Sequence, residues 1–386
     1  MTSGTVSDVP AAAAGTKWAE VDIAALRDNA ASLRRWAGDG CAVMAMVKAN
    51  GYGHGAAHAA TAALAGGATW LGVSSIREAL ELRSAGVGAR ILNAGWTMPS
   101  EMAAATANGI DVAVFVPADV AAARQAARSG RTPLRVHWKI DTGMGRLGTR
   151  MEDAAAMRDA LLSARPALEV AGLFTHFASA DEESTDFTAV QHERFLTVVS
   201  PLRESFRGAL LHCANSAAAL RLPDTHHDII RPGIALFGYP PAHCDGVVDV
   251  RPALRVRAVA TLVKDVATGD SVGYGREWIA QRRTRVATVA AGYADGVDRR
   301  NGNHGSVIAG GAVCPIIGRI SMDQLTVDVS DAGEVRAGDA VTLMGEDDGH
   351  TVDAAAIADR IGTISYEVLC AVSLRIPRIP VNAIGG

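Results

Sequence analysis

Residues 42–73 read AVMAMVKANGYGHGAAHAATAALAGGATWLGV, and the punctuation of that stretch decides the fold. Ala42–Val47 is an apolar run of strand length, closed by Lys48. A glycine-rich turn through Gly51, Gly53 and Gly55 leads into Ala56–Leu64, alanine-rich with helical spacing. Gly66 stands where a helix ends, and Trp70–Val73 opens a second apolar run. The unit recurs as a pattern. Further strand-like runs are Ala89–Leu92, Ile110–Val116, Leu134–Ile140, Leu168–Phe174, Ala209–Leu211 and Asp228–Ile230. Helical stretches lie between most of them, at Ile76–Arg83, Ser100–Ala107, Ala118–Ala127 and Glu152–Leu162, several ending at glycine (Gly86, Gly109, Gly130). Eight runs alternating with helices predict an α/β chain folded as a (β/α)8, TIM-like barrel of about 250 residues. A doubly wound parallel sheet is the rival, and periodicity alone does not separate the two.

The texture changes near Arg251. Short segments with period-two alternation follow, at Leu254–Lys264, Thr284–Ala290, Ser306–Ile308, Val313–Gly318, Leu325–Val329 and Ala340–Met344, with one helical stretch at Val352–Ile361. These predict a mainly antiparallel β-domain over residues 251–386, after a barrel over 16–250 and a loose leader over 1–15. With 37 basic and 41 acidic residues in 386, the chain has neither a basic excess nor a basic run, which argues against nucleic acid or an anionic membrane as partner. Five scattered cysteines without a C-x-x-C pair argue against a disulfide framework or a structural zinc site. No segment approaches the roughly 20 apolar residues of a membrane span, and the expectation is a cytoplasmic protein.

Barrel enzymes place their chemistry at the C-terminal ends of the strands. Here those ends carry Lys48, then Lys139 with Arg146 just beyond, His176, Asn215-Ser216 and Arg231-Pro232-Gly233. Lysine closing an apolar strand is costly unless it is used or paired. Together these residues predict a cationic, hydroxyl-bearing mouth suited to an anionic ligand such as a phosphate.

The segment Val47-Lys48-Ala49-Asn50-Gly51-Tyr52-Gly53-His54-Gly55 resembles the cofactor-lysine signature of the alanine racemases, pyridoxal-phosphate enzymes of the barrel type. The likeness continues in order through Lys139–Gly148, Thr175–Ala178, His212–Ser216, Arg231–Ala235, Val272–Gly275, Ala291–Gly296, Gly318–Asp323 and Ile364–Glu367. It departs in Gly51, where alanine is common, in Phe237, where many members have tyrosine, and in Ser321, where cysteine is frequent. The resemblance implies that Lys48 forms a Schiff base with pyridoxal phosphate, whose phosphate Tyr52, Ser216, Gly233, Ile234 and Tyr366 would hold. His176 would pack near the pyridine ring and Arg231 would face its nitrogen. Arg146 and the Met322 backbone N–H would meet the substrate carboxylate, Tyr274 would be the second catalytic base, and Tyr293 and Arg319 would line the entrance. Lys139 would be carbamylated and would hold Arg146 as an anion. A homodimer with shared sites, Tyr274 serving the partner's barrel, and a supply of D-alanine for cell-wall synthesis are implied as well. Racemisation needs a proton acceptor on one face of the substrate and a donor on the other, and lysine with tyrosine suits that pair. An arginine at the ring nitrogen keeps its proton, leaving a weaker electron sink than a carboxylate partner would make.

Other readings compete. Another small amino acid, serine for instance, is the nearest alternative substrate, since one hydroxyl is hard to reject in a small pocket. A pyridoxal-phosphate carrier without catalysis would have no use for Tyr274. Gly143-Met144-Gly145-Arg146-Leu147-Gly148 fits G-x-G-x-x-G and would suggest an NAD-dependent oxidoreductase, yet it lies mid-domain and carries a bulky arginine. His54 and His58 have metal-ligand spacing without a third ligand, and no metal is expected. His226-His227 reads as a solvated turn and Cys213 as a small buried residue.

Overall fold

The computed structural model describes residues 15–128 and 132–383. The expected leader lies outside them except for Gly15, and so does the expected helix-ending Gly130. Two compact units emerge: Ala24–Arg251, and a second one in which the chain before Ala24 joins Pro252 and the residues after it.

In the first unit eight parallel strands follow one another in chain order: Ala42–Met46, Trp70–Val73, Arg90–Asn93, Ile110–Val114, Leu134–Asp141, Leu168–Phe174, Leu210–His212 and Ile229–Ile230. The last pairs with the first, Ile229 opposite Ala42. The seam beside it is bridged by Asp228 N–H to the Leu211 carbonyl (3.0 Å) and Arg231 N–H to the Ala214 carbonyl (2.9 Å). An open doubly wound sheet would leave two edges, so this return is what selects the near-closed barrel. Trp70–Val73 and Ile110–Val114 are buried at every position, as strands must be when side chains fill the interior and helices cover the outside. The expected strands and helices lie within a few residues of those observed. Helices at Ile23–Ala37, Asp186–Val199 and Ser216–Arg221 go beyond the expectation.

Helix Ala56–Ala65 ends at Gly66 as expected, but glycine stands there for a different reason. Its backbone is not left-handed (φ −81°), unlike Gly86 and Gly109 (φ +82° and +59°). A Cβ there would fall 2.3 Å from the Arg27 carbonyl oxygen, so the glycine is required by the close pass of helix Ile23–Ala37 and not by helix termination.

The second unit is mainly antiparallel, built on the long strand Leu254–Val266. The expected barrel boundary at residue 16 is corrected here. Lys17–Asp22 runs antiparallel to Leu254–Val266, with Lys17 opposite Ala258, and parallel to Arg378–Val381. A buried Glu20 in the middle of this strand disguises it in sequence; the carboxylate is held by Arg255, Arg257 and the Trp18 indole N–H (2.9 Å). The expected helix begins at Ala354, capped by Asp353 accepting from Ala356 N–H (2.8 Å), and a second helix, Ser365–Ala371, follows it. Among the described residues no helix is long and apolar enough to cross a membrane.

Candidate active site

Lys48 begins a turn at the end of the first barrel strand in which Ala49, Asn50, Gly51, Tyr52 and Gly53 all have positive φ, from 49° to 84°. Only one of these non-glycine residues, Asn50, is of a type that visits this region readily, so the turn costs free energy that neighbours must offset. Glu78 does much of that. Its carboxylate accepts from the N–H groups of Ala49 (2.7 Å) and Ser74 (2.8 Å), tying the Lys48 turn to the next strand end. Asn50 adds a bond from Ala56 N–H to its side-chain oxygen (3.0 Å). Sequence reasoning missed Glu78, which looks like any first-turn helix acid.

Arg231 is buried at the seam and donates to the Thr175 carbonyl (2.8 Å), the Cys213 carbonyl (3.2 Å), His212 Nδ1 (3.1 Å) and His176 Nδ1 (3.3 Å). None of these partners is a carboxylate. Arginine cannot accept, so His212 Nδ1 carries a lone pair and its Nε2–H donates to His137 Nδ1 (2.9 Å). His137 Nε2–H then points at Asp111 (3.3 Å), whose buried carboxylate also binds Arg90 and Arg135 (both 2.7 Å). A polar column thus threads the barrel interior from Asp111 to the mouth, with both imidazoles neutral; burial pushes the pKa of each down. Burial likewise lowers Arg231 to about 10, still a cation at neutral pH.

Lys139 is buried on the fifth strand, its Nζ 5.8 Å from the centre of the Phe174 ring. Burial, and then the charges of Arg146 and Arg231, bring its pKa down to about 8. His176, half-buried, is pushed well below its ordinary value by burial and by the charges of Arg231, Lys139, Arg146 and Lys48. These shared fields place Lys48, Lys139, Arg146, His176 and Arg231 around one mouth, as expected.

A second cluster adjoins Arg231 in sequence. Gly233 N–H donates to Ser216 Oγ (2.8 Å), and a Cβ on Gly233 would fall 2.4 Å from Tyr52 Oη. Tyr52 is held by stacking on Phe237, 4.8 Å between centroids, a contact that needs no hydroxyl at position 237. Ile234, buried, starts the short helical turn that follows.

The remaining candidates lie in the second unit. Tyr274 is 70% exposed on a turn between Gly273 and Gly275, where a Cβ on Gly275 would lie 3.0 Å from Arg319 Nη1. Arg319 pairs with Glu277. Tyr293 N–H donates to the Ser321 carbonyl (3.1 Å) and Ala294 N–H to the Met322 carbonyl (3.0 Å). Tyr274 and Tyr293 therefore lie on two loops that both adjoin a third, which carries Arg319 and Met322. Tyr366 is half-buried on helix Ser365–Ala371.

The glycine motif does not make a dinucleotide site. The N–H groups of Gly143 and Gly145 are taken by the Asp141 carboxylate (3.0 Å each), and the chain runs on into the short strand Thr149–Arg150 in place of a helix. His226 and His227 are not a solvated turn. His226 is buried with Nε2 2.7 Å from the Ala219 carbonyl, and His227 Nε2 lies 2.8 Å from His192 Nε2.

The chain matches two family models, "Alanine racemase, N-terminal domain" over residues 21–241 and "Alanine racemase, C-terminal domain" over 253–380. It is 42% identical over 366 residues to the alanine racemase of Symbiobacterium thermophilum, covering 94% of this chain and 96% of that one. Identity to the alanine racemase of Desulforamulus reducens is 39% over 366 residues, 94% and 98% of the two chains. Among solved structures, alanine racemase from D-cycloserine-producing Streptomyces lavendulae superposes with a TM-score of 0.91 at 36% identity, covering 96% of this chain and 98% of that one. The Bacillus anthracis enzyme with bound L-Ala-P gives 0.89 at 34%, covering 95% of each chain.

Proposed function

Since the chain belongs to the alanine racemase family, we propose that its barrel mouth binds pyridoxal phosphate and, with a tyrosine from a second copy of the chain, interconverts L-alanine and D-alanine. The observation that carries this reading is the convergence of Lys48, His176 and Arg231 on one rim, next to the Tyr52–Ser216–Gly233 cluster. The donor set fits the cofactor. Gly233 makes room for the Tyr52 hydroxyl where a Cβ would stand, and that hydroxyl, the Ser216 hydroxyl now accepting from Gly233 N–H, and the backbone N–H groups of Gly233 and Ile234 suit a phosphate, which Tyr366 would also meet. Lys48 would hold the other end through its amine, His176 would lie against the ring, and Arg231 would face the ring nitrogen. When bound, the cofactor supplies an electron sink for the charge left as the substrate α-proton departs.

The protein's own groups do the rest. Lys48 Nζ takes or returns a proton on one face of the substrate Cα and Tyr274 Oη on the other, which is what inverts the centre. Arg231, anchored by two neutral imidazoles and two carbonyls, keeps its proton, which restrains the sink and limits side reactions. Arg146 and the Met322 N–H orient the substrate carboxylate, and Tyr293 and Arg319 flank the way in. Lys139, beside Arg146 among excess positive charge, adds carbon dioxide to its neutral amine and releases one proton, giving a carbamate that aims Arg146. The exposed Tyr274 and the apolar Met322, Ile364 and Leu374, at 54–83% exposure, support pairing of two copies. Five cysteines that form no disulfide suit a reducing cytoplasm, where the D-alanine made serves cell-wall synthesis.

Borohydride reduction followed by peptide mapping should place the cofactor on the Lys48 peptide; a label on another lysine would overturn the assignment. A D-amino-acid-oxidase-coupled assay should give a higher kcat/KM for L-alanine than for L-serine, and the reverse order would move the substrate assignment to serine.

A further inference from the structure

His192, Cys213 and His227 come from three separate pieces of chain, yet their ligating atoms all lie within 4.8 Å of one another, the one such triad of metal-ligating side chains among the described residues. His192 projects from helix Asp186–Val199, Cys213 follows the seventh barrel strand, and His227 precedes the eighth. His212 faces the barrel interior, so its neighbour Cys213 faces the helical layer outside. The two imidazoles meet nitrogen to nitrogen, Nε2 to Nε2 at 2.8 Å, with Phe177 and Phe195 walling the rings. Two half-exposed histidines open the cluster to solvent while the thiol lies at its floor.

We propose that this triad is a binding site for a thiophilic divalent cation of the zinc type, lying behind the barrel wall and separate from the mouth. One thiolate and two imidazoles form a donor set that favours zinc or copper over magnesium or calcium, which take oxygen ligands. Geometry is close to what is needed. Zn–N bonds of about 2.0–2.1 Å set two ligand nitrogens about 3.3 Å apart, so the rings separate by about half an ångström to admit the ion. Each histidine turns Nε2 toward the other, so both ligating nitrogens already flank the position of the ion. The Cys213 thiol, whose S–H donates to the Thr225 carbonyl (3.1 Å), gives up its proton to solvent on binding, and the His227 or His192 Nε2 proton moves to Nδ1 of the same ring. One proton is thus released per cation bound, with a fourth coordination position left for water.

Occupancy also bears on the mouth, a consequence that rests on the racemase reading. Arg231 is held by the Cys213 carbonyl and, through its own N–H, by the Ala214 carbonyl, while His227 lies four residues before it. An ion bridging Cys213 and His227 therefore loads both strand ends that position Arg231.

The test is zinc titration of the holoenzyme by calorimetry, with cobalt as a spectroscopic reporter, in a Cys370→Ser background that removes the exposed thiol. The expected result is one zinc per chain, one proton released, a thiolate-to-cobalt charge-transfer band, and activity that falls with zinc and returns with chelator. His192→Ala and His227→Asn, the latter chosen because asparagine tolerates the left-handed backbone at φ +47°, should each weaken zinc at least about tenfold. Cys213→Ser should remove the charge-transfer band; if that variant fails to fold, His192→Ala decides alone. Zinc uptake that is absent, or unchanged in His192→Ala, would overturn the site, and saturating zinc with unchanged activity would overturn its coupling to Arg231.

Discussion

Lys139 titrates near 8, and carbon dioxide adds only to a neutral amine. The sign follows: at fixed dissolved carbon dioxide the carbamylated fraction rises as pH climbs through about 8 and falls below it. Nuclear magnetic resonance with isotopically labelled carbon dioxide should show that rise, absent in Lys139→Ala, and a signal falling with pH would sink the idea. Activity of Lys139→Ala should drop and recover partly with acetate, and a variant working normally without an added anion would refute the role. Asp111 presents the opposite case at the other end of the polar column. Burial pushes its carboxyl up, but the hydrogen bond from His137 and the charges of Arg90 and Arg135 win, and its pKa lies below the usual value. Its stabilising contribution is present above pH of about 4, the unfolded value, and is lost as pH falls through the lower folded one. Asp111→Asn leaves Arg90 and Arg135, both part-exposed, without their carboxylate, and should cost about 2 kcal/mol in urea unfolding, less than for a fully buried pair. An unchanged midpoint would show that the column carries no stability.

Glycine at the end of a helix has two different physical meanings in this chain, and a pair of substitutions separates them. Gly86→Ala places a Cβ in open space at φ +82° and should cost about 1–2 kcal/mol from backbone conformation alone. Gly66→Ala has an ordinary φ but drives a Cβ to 2.6 Å from Ala30 Cβ and closer still to the Arg27 carbonyl, so helix Ile23–Ala37 must move off the barrel. Gly66→Ala should therefore destabilise more than Gly86→Ala in denaturant; the reverse order would return Gly66 to a termination role. Sequence alone could not tell these apart, because both follow an apolar helical stretch and the partner helix lies far upstream. The strands and helices of the barrel were legible for the opposite reason: their signal is local, an apolar run followed by helical spacing. The strand-end residues Lys48, Lys139, His176, Ser216 and Arg231 were legible because polar groups stand out after such runs. Glu78, Asp111, His137 and His212 were not, since each gains its meaning from partners on other strands.

At the scale of the assembly, the proposed sharing of sites makes a quantitative forecast. Random pairing of Lys48→Ala with Tyr274→Phe chains makes half the dimers mixed, each with one intact site, so about a quarter of wild-type activity should return. Mixed dimers that form and stay dead would mean that each site is built within one chain. The strand Lys17–Asp22 has a different consequence, for biosynthesis. Its two sheet neighbours are Leu254–Val266 and Arg378–Val381, so the first strand among the described residues pairs with the last of them. All the barrel strands are translated between them, and domains fold as units while synthesis proceeds at roughly 5–20 residues per second. Barrel strands can thus close while Trp18, Ala19 and Val21, all buried in the finished sheet, wait on the order of tens of seconds without partners. Nascent chains stalled before Leu254 should show a protease-resistant barrel and a cleavable N-terminal segment; equal resistance of both would contradict this order. A strand made before the whole barrel is therefore secured only after it, and until Leu254–Val266 emerges the unfinished polypeptide presents it to chaperones.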